Sequence, residues 1–329
     1  MLDTVGDEET TKIAGLVMNS AMDARHRRFQ GGWNRRMATR VMWLFASWLL
    51  VVAAMVAVPT AAAAQTGPTT FVVDSTATGA GDCADPGACT LRAAVDAANA
   101  NAGSTVQVPA GAYVIDGQLV VSVPMTIEGA AGQGADATVI DAAGGSRVID
   151  VRAAGVTISG VTITGGDVNQ TGGGIRIGSG DELTLVDSRV TGNTAREGGG
   201  IDNSGTLVML NSTVDANDAD RKGGGIRNDG VGTIDNSTIA GNTASQGGGL
   251  SSPGETTVTH ATIVRNVATS SSSAGVDRNG GTLTIAYSVI AENFRSGGSE
   301  ASDCSGTPDL VSLNLVSDTQ GCNPVGTCL

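Results

Sequence analysis

The most concentrated set of chemically capable side chains lies in a single turn of the chain, just before a run of three glycines. Asp215, Asp218 and Asp220 place three carboxylates close together, and Lys222 adds a base. A polysaccharide lyase uses carboxylates to hold Ca²⁺ against a uronate, with Lys or Arg as the base. A glycosidase uses two carboxylates, one of them with a raised pKa. These four residues are therefore the candidate catalytic residues.

The alternative for this turn is a solvated surface on which opposite charges neutralise one another. Arg196 and Glu197 occupy the equivalent positions one repeat earlier. Charged residues also recur directly after an aliphatic residue in successive repeats, at Arg176, Asp202 and Arg227. We expect this second set to form a surface charge ladder of small energetic value, as exposed ion pairs usually do.

A column of five equivalent residues is the candidate binding site: Asp187, Asn211, Asn236, His260 and Tyr287. Polar and aromatic side chains stacked one per repeat would suit an extended glycan or peptide. The alternative is a turn-forming role, because Asp and Asn side chains hydrogen-bond to nearby backbone in tight turns. For His260 alone, a surface position is a simpler interpretation than a general base.

The five cysteines all follow residue 64, where the chain is expected to be in an oxidising compartment. We expect disulfides between Cys83 and Cys89 and between Cys304 and Cys322, with buried free thiols as the alternative. Cys328 is left over. Metal binding is disfavoured because neither a Cys-x-x-Cys motif nor a histidine cluster accompanies the cysteines.

The equivalence of these positions rests on an internal repeat of about 25 residues. Three glycines followed by an aliphatic residue recur, at Gly172–Ile175, Gly198–Ile201, Gly223–Ile226 and Gly247–Leu250. An asparagine recurs further along each repeat, at Asn193, Asn217, Asn242, Asn266 and Asn293. Such a short unit cannot bury its own apolar face, so successive units must stack.

Each repeat contains two or three short segments of alternating apolar and polar residues bounded by Gly, Asn, Asp and Ser, which is typical of β-strands. Stacking them at a strand spacing of about 4.8 Å gives an all-β, right-handed parallel β-helix of about eight to ten turns. Two apolar columns should lie inside it. They are Leu185, Met209, Ile234, Val258 and Ile285, and Val190, Val214, Ile239, Ile263 and Ile290.

The chain divides into four segments. Residues 1–64 are expected to be a leader with a secretion signal, because arginines precede an apolar segment, 41–58, and an Ala-rich exit. An uncleaved membrane anchor is the alternative, and Met37 would be a more usual start than Met1. Residues 65–102 form an N-terminal cap segment, 103–300 the β-helix turns, and 301–329 a C-terminal cysteine-containing segment.

A single segment has helical spacing. Leu91, Ala94, Val95 and Ala98 follow a plausible N-cap at Thr90 and predict a helix of about ten residues that covers the first open turn. The run Cys89–Val95 resembles the Cys-Ser-Leu-Arg-Glu-Ala cap of secreted bacterial right-handed β-helix-repeat proteins, with Thr90 and Ala93 as departures.

The repeats support the same resemblance. Gly192–Ala195 followed by Gly198–Ile201 is similar to the repeats of polymorphic outer-membrane proteins, which are surface-exposed and adhesin-like. The segment from Asp303 to Cys322 resembles the closing segment of that family. The resemblance implies a β-helix fold and export, but it specifies no activity.

The composition of the chain excludes some classes of binding partner. With a net charge of −13, the chain offers no basic field for nucleic acid, and membrane contact is expected only through the signal segment before cleavage. We expect a secreted or cell-surface protein, with outer-membrane association open, that binds a polysaccharide or cell-surface ligand as a non-catalytic adhesion scaffold. The alternative is a polysaccharide lyase or glycoside hydrolase of the pectate-lyase-like β-helix type. No cofactor is expected, except Ca²⁺ under the lyase alternative.

Overall fold

The structure is a computed structural model that describes residues 67–270, 272–296 and 300–324, with side chains described as far as residue 322. The leader, its apolar segment and Cys328 lie outside the described residues. Among the described residues, no helix combines the length and apolar character needed to cross a membrane.

The described chain is a parallel β-solenoid, as the repeat predicts. Four parallel sheets run along it, and a central turn contributes one strand to each sheet in the order A, B, C, D. A central turn thus has four strands, where the sequence predicts two or three. The extra strand is that of sheet C, in which Thr194–Glu197 places only the small residue Ala195 in the interior.

Sheets A and B carry the longest rows of strands. The strands of sheet A are Thr70–Val72, Ser104–Gln107, Met125–Glu128, Val156–Ser159, Glu182–Val186, Thr206–Leu210, Val231–Asp235, Glu255–Thr259, Thr282–Ala286, Asp309–Val311 and Asn323–Pro324. Those of sheet B are Gly111–Val114, Thr138–Asp141, Thr162–Thr164, Arg189–Thr191, Thr213–Asp215, Thr238–Ala240, Thr262–Val264, Val289–Ala291 and Leu315–Val316.

Sheets C and D lie after them in each turn. The strands of sheet C are Asp167–Thr171, Thr194–Glu197, Asp218–Lys222, Thr243–Gln246, Val267–Ala268 and Phe294–Arg295. Those of sheet D are Leu119–Val121, Ile149–Val151, Ile175–Ile177, Ile201–Asn203, Ile226–Asn228, Leu250–Ser251, Val276–Asp277 and Cys304–Ser305.

The core is a set of aliphatic columns, because equivalent side chains stack directly in parallel, in-register strands. Leu185 pairs in register with Met209, and the row continues through Ile234 and Val258 to Ile285. The row from Val190 to Ile290 is formed in the same way in sheet B. Both predicted columns are confirmed, and all their members are buried.

The asparagines form a buried ladder beside this core. The Asn217 backbone N–H donates to Asn242 Oδ1 at 3.0 Å, and Asn242 repeats this contact to Asn266 at 3.0 Å. The backbone of this turn has a left-handed residue, but it is not the asparagine. The left-handed conformation belongs instead to the preceding residue, such as Ala216 with a φ of 53° or Arg265 with a φ of 56°.

The predicted helix forms at Leu91–Asn99, and Thr90 Oγ1 caps it by accepting from the Ala93 backbone N–H at 3.1 Å. Its apolar face is buried, and the Asn99 side chain bonds to Val120 O in the first turn at 2.8 Å. A short 3₁₀ helix, Ala135–Ala137, is the other helical element of the described chain.

Both predicted disulfides are present. Cys83 is bonded to Cys89 beside the helix, and Cys304 is bonded to Cys322 at the C-terminal end of the described chain.

Candidate functional site

The glycine triplets lie at the corner between sheets C and D. Gly198 has a φ of 62°, and a Cβ there would lie 2.7 Å from Ile201 O and 2.8 Å from Asp202 Cβ. Any other residue would therefore be strained and would collide with the next strand. The triplet brings the end of strand Thr194–Glu197 close to the outer face of sheet D.

One position on that outer face forms a column, which we call the charge column: Asp150, Arg176, Asp202, Arg227, Ser251, Asp277 and Ser305. Arg176 Nη1 lies 3.0 Å from Asp150 Oδ1, and Arg227 Nη1 lies 3.0 Å from Asp202 Oδ1. The side chains of Asp150 and Asp202 are only 1% and 3% exposed. The expectation of a surface ladder is therefore wrong, because the corner covers this face of the sheet.

The N-terminal part of the charge column is a carboxylate surrounded by guanidinium groups. Arg152 Nη2 lies 2.6 Å from Asp150 Oδ2, and Arg147 Nη1 lies 3.8 Å from Asp150 Oδ1. Burial lowers the pKa of Arg147, and the charge of Asp150 opposes that shift. The single carboxylate is thus compensated by more than one positive charge.

The central part is a second cluster, which we call the Arg227 cluster: Glu197, Asp202, Lys222, Arg227, Asp229 and Ser251. Glu197 reaches in from sheet C, with Oε2 at 3.3 Å from Arg227 Nε and Oε1 at 3.3 Å from Arg221 Nη1. Asp229 contacts Arg227 through Nη2. Arg227 therefore contacts two carboxylates, one at the end of a sheet C strand and one in the bend that follows its own sheet D strand.

Buried polar atoms without a protein hydrogen-bond partner concentrate in this cluster. Within the described residues there are four such side-chain atoms, and three of them are Arg227 Nε, Asp229 Oδ1 and Ser251 Oγ. Of these three, Arg227 Nε is still ion-paired with Glu197 Oε2. Arg227 and Ser251 are direct partners in neighbouring strands. Because buried polar groups are nearly always paired, such a cluster has room for hydrogen bonds to ordered water or to a polar ligand.

Burial raises the pKa of Asp229 even though the charge of Arg227 acts in the opposite direction. The charges of Asp202 and Glu197 add to the rise, and that of Lys222 reduces it. A carboxyl group with a raised pKa beside an ion-paired carboxylate is the arrangement used to donate and accept protons in hydrolysis.

The structure separates the four catalytic candidates named from sequence. Asp215 lies in sheet B, where Arg189 binds both its oxygens at 2.8 and 2.7 Å. Asp218 and Asp220 lie on the exposed side of sheet C, where partial burial, followed by the charge of Asp220, raises the pKa of Asp218. Lys222 ends the same strand and belongs to the Arg227 cluster.

The positions of these carboxylates determine whether they could bind a Ca²⁺ ion together. The described residues contain no group of three or more His, Cys, Asp or Glu side chains arranged to share a metal ion. Asp215 lies in sheet B and is bound by Arg189, whereas Asp218 and Asp220 lie in sheet C. The carboxylates suggested from sequence therefore do not fit a Ca²⁺ site, and we derive no reaction step through calcium.

The candidate binding column lies at the corner between sheets A and B. Its five members all have left-handed backbone, with φ between 47° and 51°. Asn236 Nδ2 donates to Asn211 Oδ1 at 2.8 Å, and the rings of His260 and Tyr287 stack at a centroid distance of 5.3 Å. The column is therefore built from turn residues whose side chains also contact one another along the solenoid.

Sequence reasoning missed Asp150, Asp229 and Ser251 and treated Glu197 only as a neutralising charge. The recurrence of Arg176, Asp202 and Arg227 after an aliphatic residue was the signal available. Extending that column in both directions leads to Asp150 and Ser251. The burial that makes these residues notable depends on the C–D corner.

No protein-family profile matches the sequence, and no curated protein is similar to it. Among solved structures, the chain is similar to the pectin methylesterase from Aspergillus niger, with 16% identity, 80% of this chain and 90% of that chain covered, and a TM-score of 0.50. A rice weevil pectin methylesterase covers 80% of this chain and 81% of its own, with 14% identity and a TM-score of 0.38. The first likeness shows a shared β-helix fold.

Proposed function

We propose that the protein is an exported β-helix hydrolase that acts on a polysaccharide at the Arg227 cluster. The observation that carries the proposal is the convergence of two buried oxygen atoms without a hydrogen-bond partner, Asp229 Oδ1 and Ser251 Oγ, beside the Arg227 guanidinium and the Glu197 carboxylate. A polar, multiply hydroxylated substrate would supply partners for these atoms. The fold shared with a pectin methylesterase adds support, since the name of that protein describes an enzyme that acts on an esterified polysaccharide.

The two carboxylates, Asp229 and Glu197, have different roles in the proposed reaction. Asp229, with its raised pKa, donates a proton to the leaving oxygen of the glycosidic bond. Glu197, held by Arg221 and Arg227, accepts a proton from the water that attacks the anomeric carbon. The carbon–oxygen bond breaks, and each turnover yields one new reducing end.

The charges near the cluster favour an acidic substrate. Half of the Lys and Arg residues after position 64 lie along the charge column or beside it: Arg147, Arg152, Arg176, Arg221, Lys222 and Arg227. Among the described residues, Glu197, Asp202 and Asp229 balance Arg221, Lys222 and Arg227 at the Arg227 cluster, so the excess of positive charge lies around Asp150, which Arg147, Arg152 and Arg176 surround. In a chain with a net charge of −13, this local excess of positive charge suits the carboxylates of a uronate polymer.

The test is to incubate the purified protein with polygalacturonate, methyl-esterified pectin and alginate and to measure reducing ends, unsaturated products and methanol. We expect new reducing ends and a loss of about 10²- to 10⁴-fold in rate for Asp229→Asn and for Glu197→Gln. Glu292→Gln is the matched control, because Glu292 also pairs with an arginine, Arg265, at 2.8 Å but on the exposed surface. Wild-type rates in Asp229→Asn would refute the assignment.

A non-catalytic scaffold that binds acidic polysaccharide is the second candidate. It is favoured by the cluster around Asp150, where Arg152 and Arg176 are 53% and 39% exposed and can contact an anionic chain. Binding of polygalacturonate that Arg176→Ala weakens, with none of the three products formed, would support this function. Unsaturated products would instead indicate a lyase.

Export is part of the same proposal. Two disulfides suit an oxidising compartment, and a polysaccharide substrate lies outside the cell. Mass spectrometry of the mature protein from the culture medium would determine its N-terminus and show whether the leader is removed.

A further inference from the structure

We propose that the recess beside Tyr287 is a second carbohydrate site, which binds the ring of a neutral sugar where the binding column ends. The site lies at the A–B corner, whereas the Arg227 cluster lies at the C–D corner. The inference therefore does not depend on hydrolysis at that cluster.

The aromatic stack gives the site a fixed wall. The rings of His260 and Tyr287, from successive turns, are parallel to within 7°. His260 is itself held in place, because its Nδ1 lies 2.9 Å from Asp235 Oδ1. Tyr287 is thus supported on the side of the preceding turn, and yet 57% of it is exposed.

The recess lies on the other side of Tyr287, towards the following turn. Val289 pairs with Leu315 of that turn, so the residues around Leu315 cannot be on the His260 side. The recess has a volume of about 290 Å³ and is lined by Tyr287, Ser288, Val289, Leu313, Asn314 and Leu315. This is close to the lower end of small-ligand sites, about 300–1,000 Å³, and suits a single ring.

The lining determines the class of ligand. Leu313 and Leu315 are each 50% exposed, so apolar surface faces solvent on both sides of the recess. Asn314 is occupied structurally, since its side chain accepts from the Ser288 backbone N–H at 3.0 Å and donates to Ile285 O at 3.1 Å. An apolar slot against an aromatic face fits the C–H face of a sugar ring, whose hydroxyl groups stay in water.

Charge separates a neutral sugar from an acidic one at this site. None of the residues that line the recess is charged, and the charged residues along the same corner include Asp187 and Asp235. An acidic sugar would find no base in the lining to compensate its carboxylate, so the recess favours a neutral one. The linked amides of Asn211 and Asn236 continue the column and offer hydrogen bonds to further neutral units.

The test is calorimetric titration of the whole protein with cellohexaose, xylohexaose and mannohexaose, and with hexagalacturonate as the acidic comparison. In the Asp229→Asn variant, where hydrolysis is removed, we expect at least one neutral hexasaccharide to bind at the recess, whereas binding of hexagalacturonate at the charge column should not change in Tyr287→Ala. Tyr287→Ala should weaken binding of the neutral sugar about tenfold or more, as loss of an aromatic anchor does, and Tyr287→Phe should stay within about twofold.

Two controls make the result specific. Val231→Ser removes another exposed apolar residue, which lies in sheet A and does not line the recess, and should leave the affinity unchanged. Arg227→Lys, a change within the Arg227 cluster, should also leave the affinity for the neutral sugar unchanged. Binding at the recess can therefore be tested whether or not the proposed hydrolysis occurs. Absence of binding by all three neutral sugars, or equal affinity in Tyr287→Ala, would overturn the site. So would concentration-dependent dimerisation abolished by Tyr287→Ala, because a second copy would then occupy the recess.

Discussion

Glu197 Oε2 lies 3.3 Å from Arg227 Nε, although the two residues belong to different sheets and to successive turns. The contact joins the end of a sheet C strand to the outer face of sheet D. It exists because the glycine triplet after Glu197 turns the chain at a φ that other residues rarely adopt. The corner brings Glu197 to Arg227, so the buried contact depends on the turn of the chain as well as on the two charges.

Arg227→Ala should strongly destabilise the protein. The change leaves Asp202, whose side chain is 3% exposed, as a buried carboxylate without its ion-pair partner. Breaking a buried pair in this way costs about 3–5 kcal/mol of unfolding free energy. Arg265→Ala is the control, because Arg265 is 74% exposed and its loss should cost less than about 1 kcal/mol. Urea unfolding of both variants measures the difference, and equal losses would contradict a structural role for the Arg227 pairs.

Gly198→Ala should cost more than Gly180→Ala. Both glycines have left-handed backbone, with φ values of 62° and 85°, so each substitution costs about 1–2 kcal/mol for conformation alone. A Cβ at Gly180 meets nothing within 4 Å, whereas a Cβ at Gly198 collides with Ile201 O at 2.7 Å. We expect a further loss of about 1–3 kcal/mol for Gly198→Ala, from the collision. Similar midpoints of unfolding for the two variants would show that the corner can relax.

The repeat predicts the solenoid well because stacking converts sequence period directly into columns. Val190 and Val214 are recognisably equivalent in sequence, and they are direct partners in the structure. The period says which residues share a column, but it does not say which outer face is covered. That is why Asp202 could be assigned to a column and yet be wrongly placed on the surface.

The candidate site shows the same limit. Lys222 belongs to the Arg227 cluster, but Asp215, named with it, ends the preceding strand, before the chain turns the corner between sheets B and C. Nearness in sequence therefore failed to predict nearness in space. Asp229 was missed because its importance comes from burial and from its contact with Arg227, and Asp229 itself is not part of the recurring column.

Asn242→Ala should destabilise the protein much more than Asn169→Ala. Asn242 is buried and accepts at 3.0 Å from Asn217 Nδ2, while its own Nδ2 donates to Val214 O at 2.9 Å. Removing the amide leaves these groups without partners at about 1–3 kcal/mol for each unsatisfied group. Asn169 is exposed in strand Asp167–Thr171, so the same change there should be nearly neutral. Thermal unfolding of the two variants tests the ladder, and similar melting temperatures would argue against it.

Asp235 should make stability depend on acid pH in a direction opposite to that of Asp218. The hydrogen bond from Thr259, at 2.6 Å, and then that from His260 lower the pKa of Asp235 in the folded protein. Its contribution is therefore present above the unfolded pKa of about 3.9 and is lost as pH falls through the lower folded value. Asp235→Asn should lower the melting temperature at neutral pH, with the difference from wild type closing on acidification.

Asp218 is the comparison of opposite sign for Asp235. Burial, with the charge of Asp220, raises the pKa of Asp218, so its ionised form opposes folding above that raised value. Asp218→Asn should therefore raise the melting temperature at neutral pH, and this gain should also vanish in acid, where the carboxyl is protonated in both states. Circular dichroism melts of the three proteins from neutral to acid pH measure both effects. Parallel curves of melting temperature against pH for wild type and Asp235→Asn would mean that the contacts with Thr259 and His260 do not favour the carboxylate. If Thr259→Val lowers the melting temperature at neutral pH as much as Asp235→Asn does, the effect comes from the hydrogen bond with Thr259.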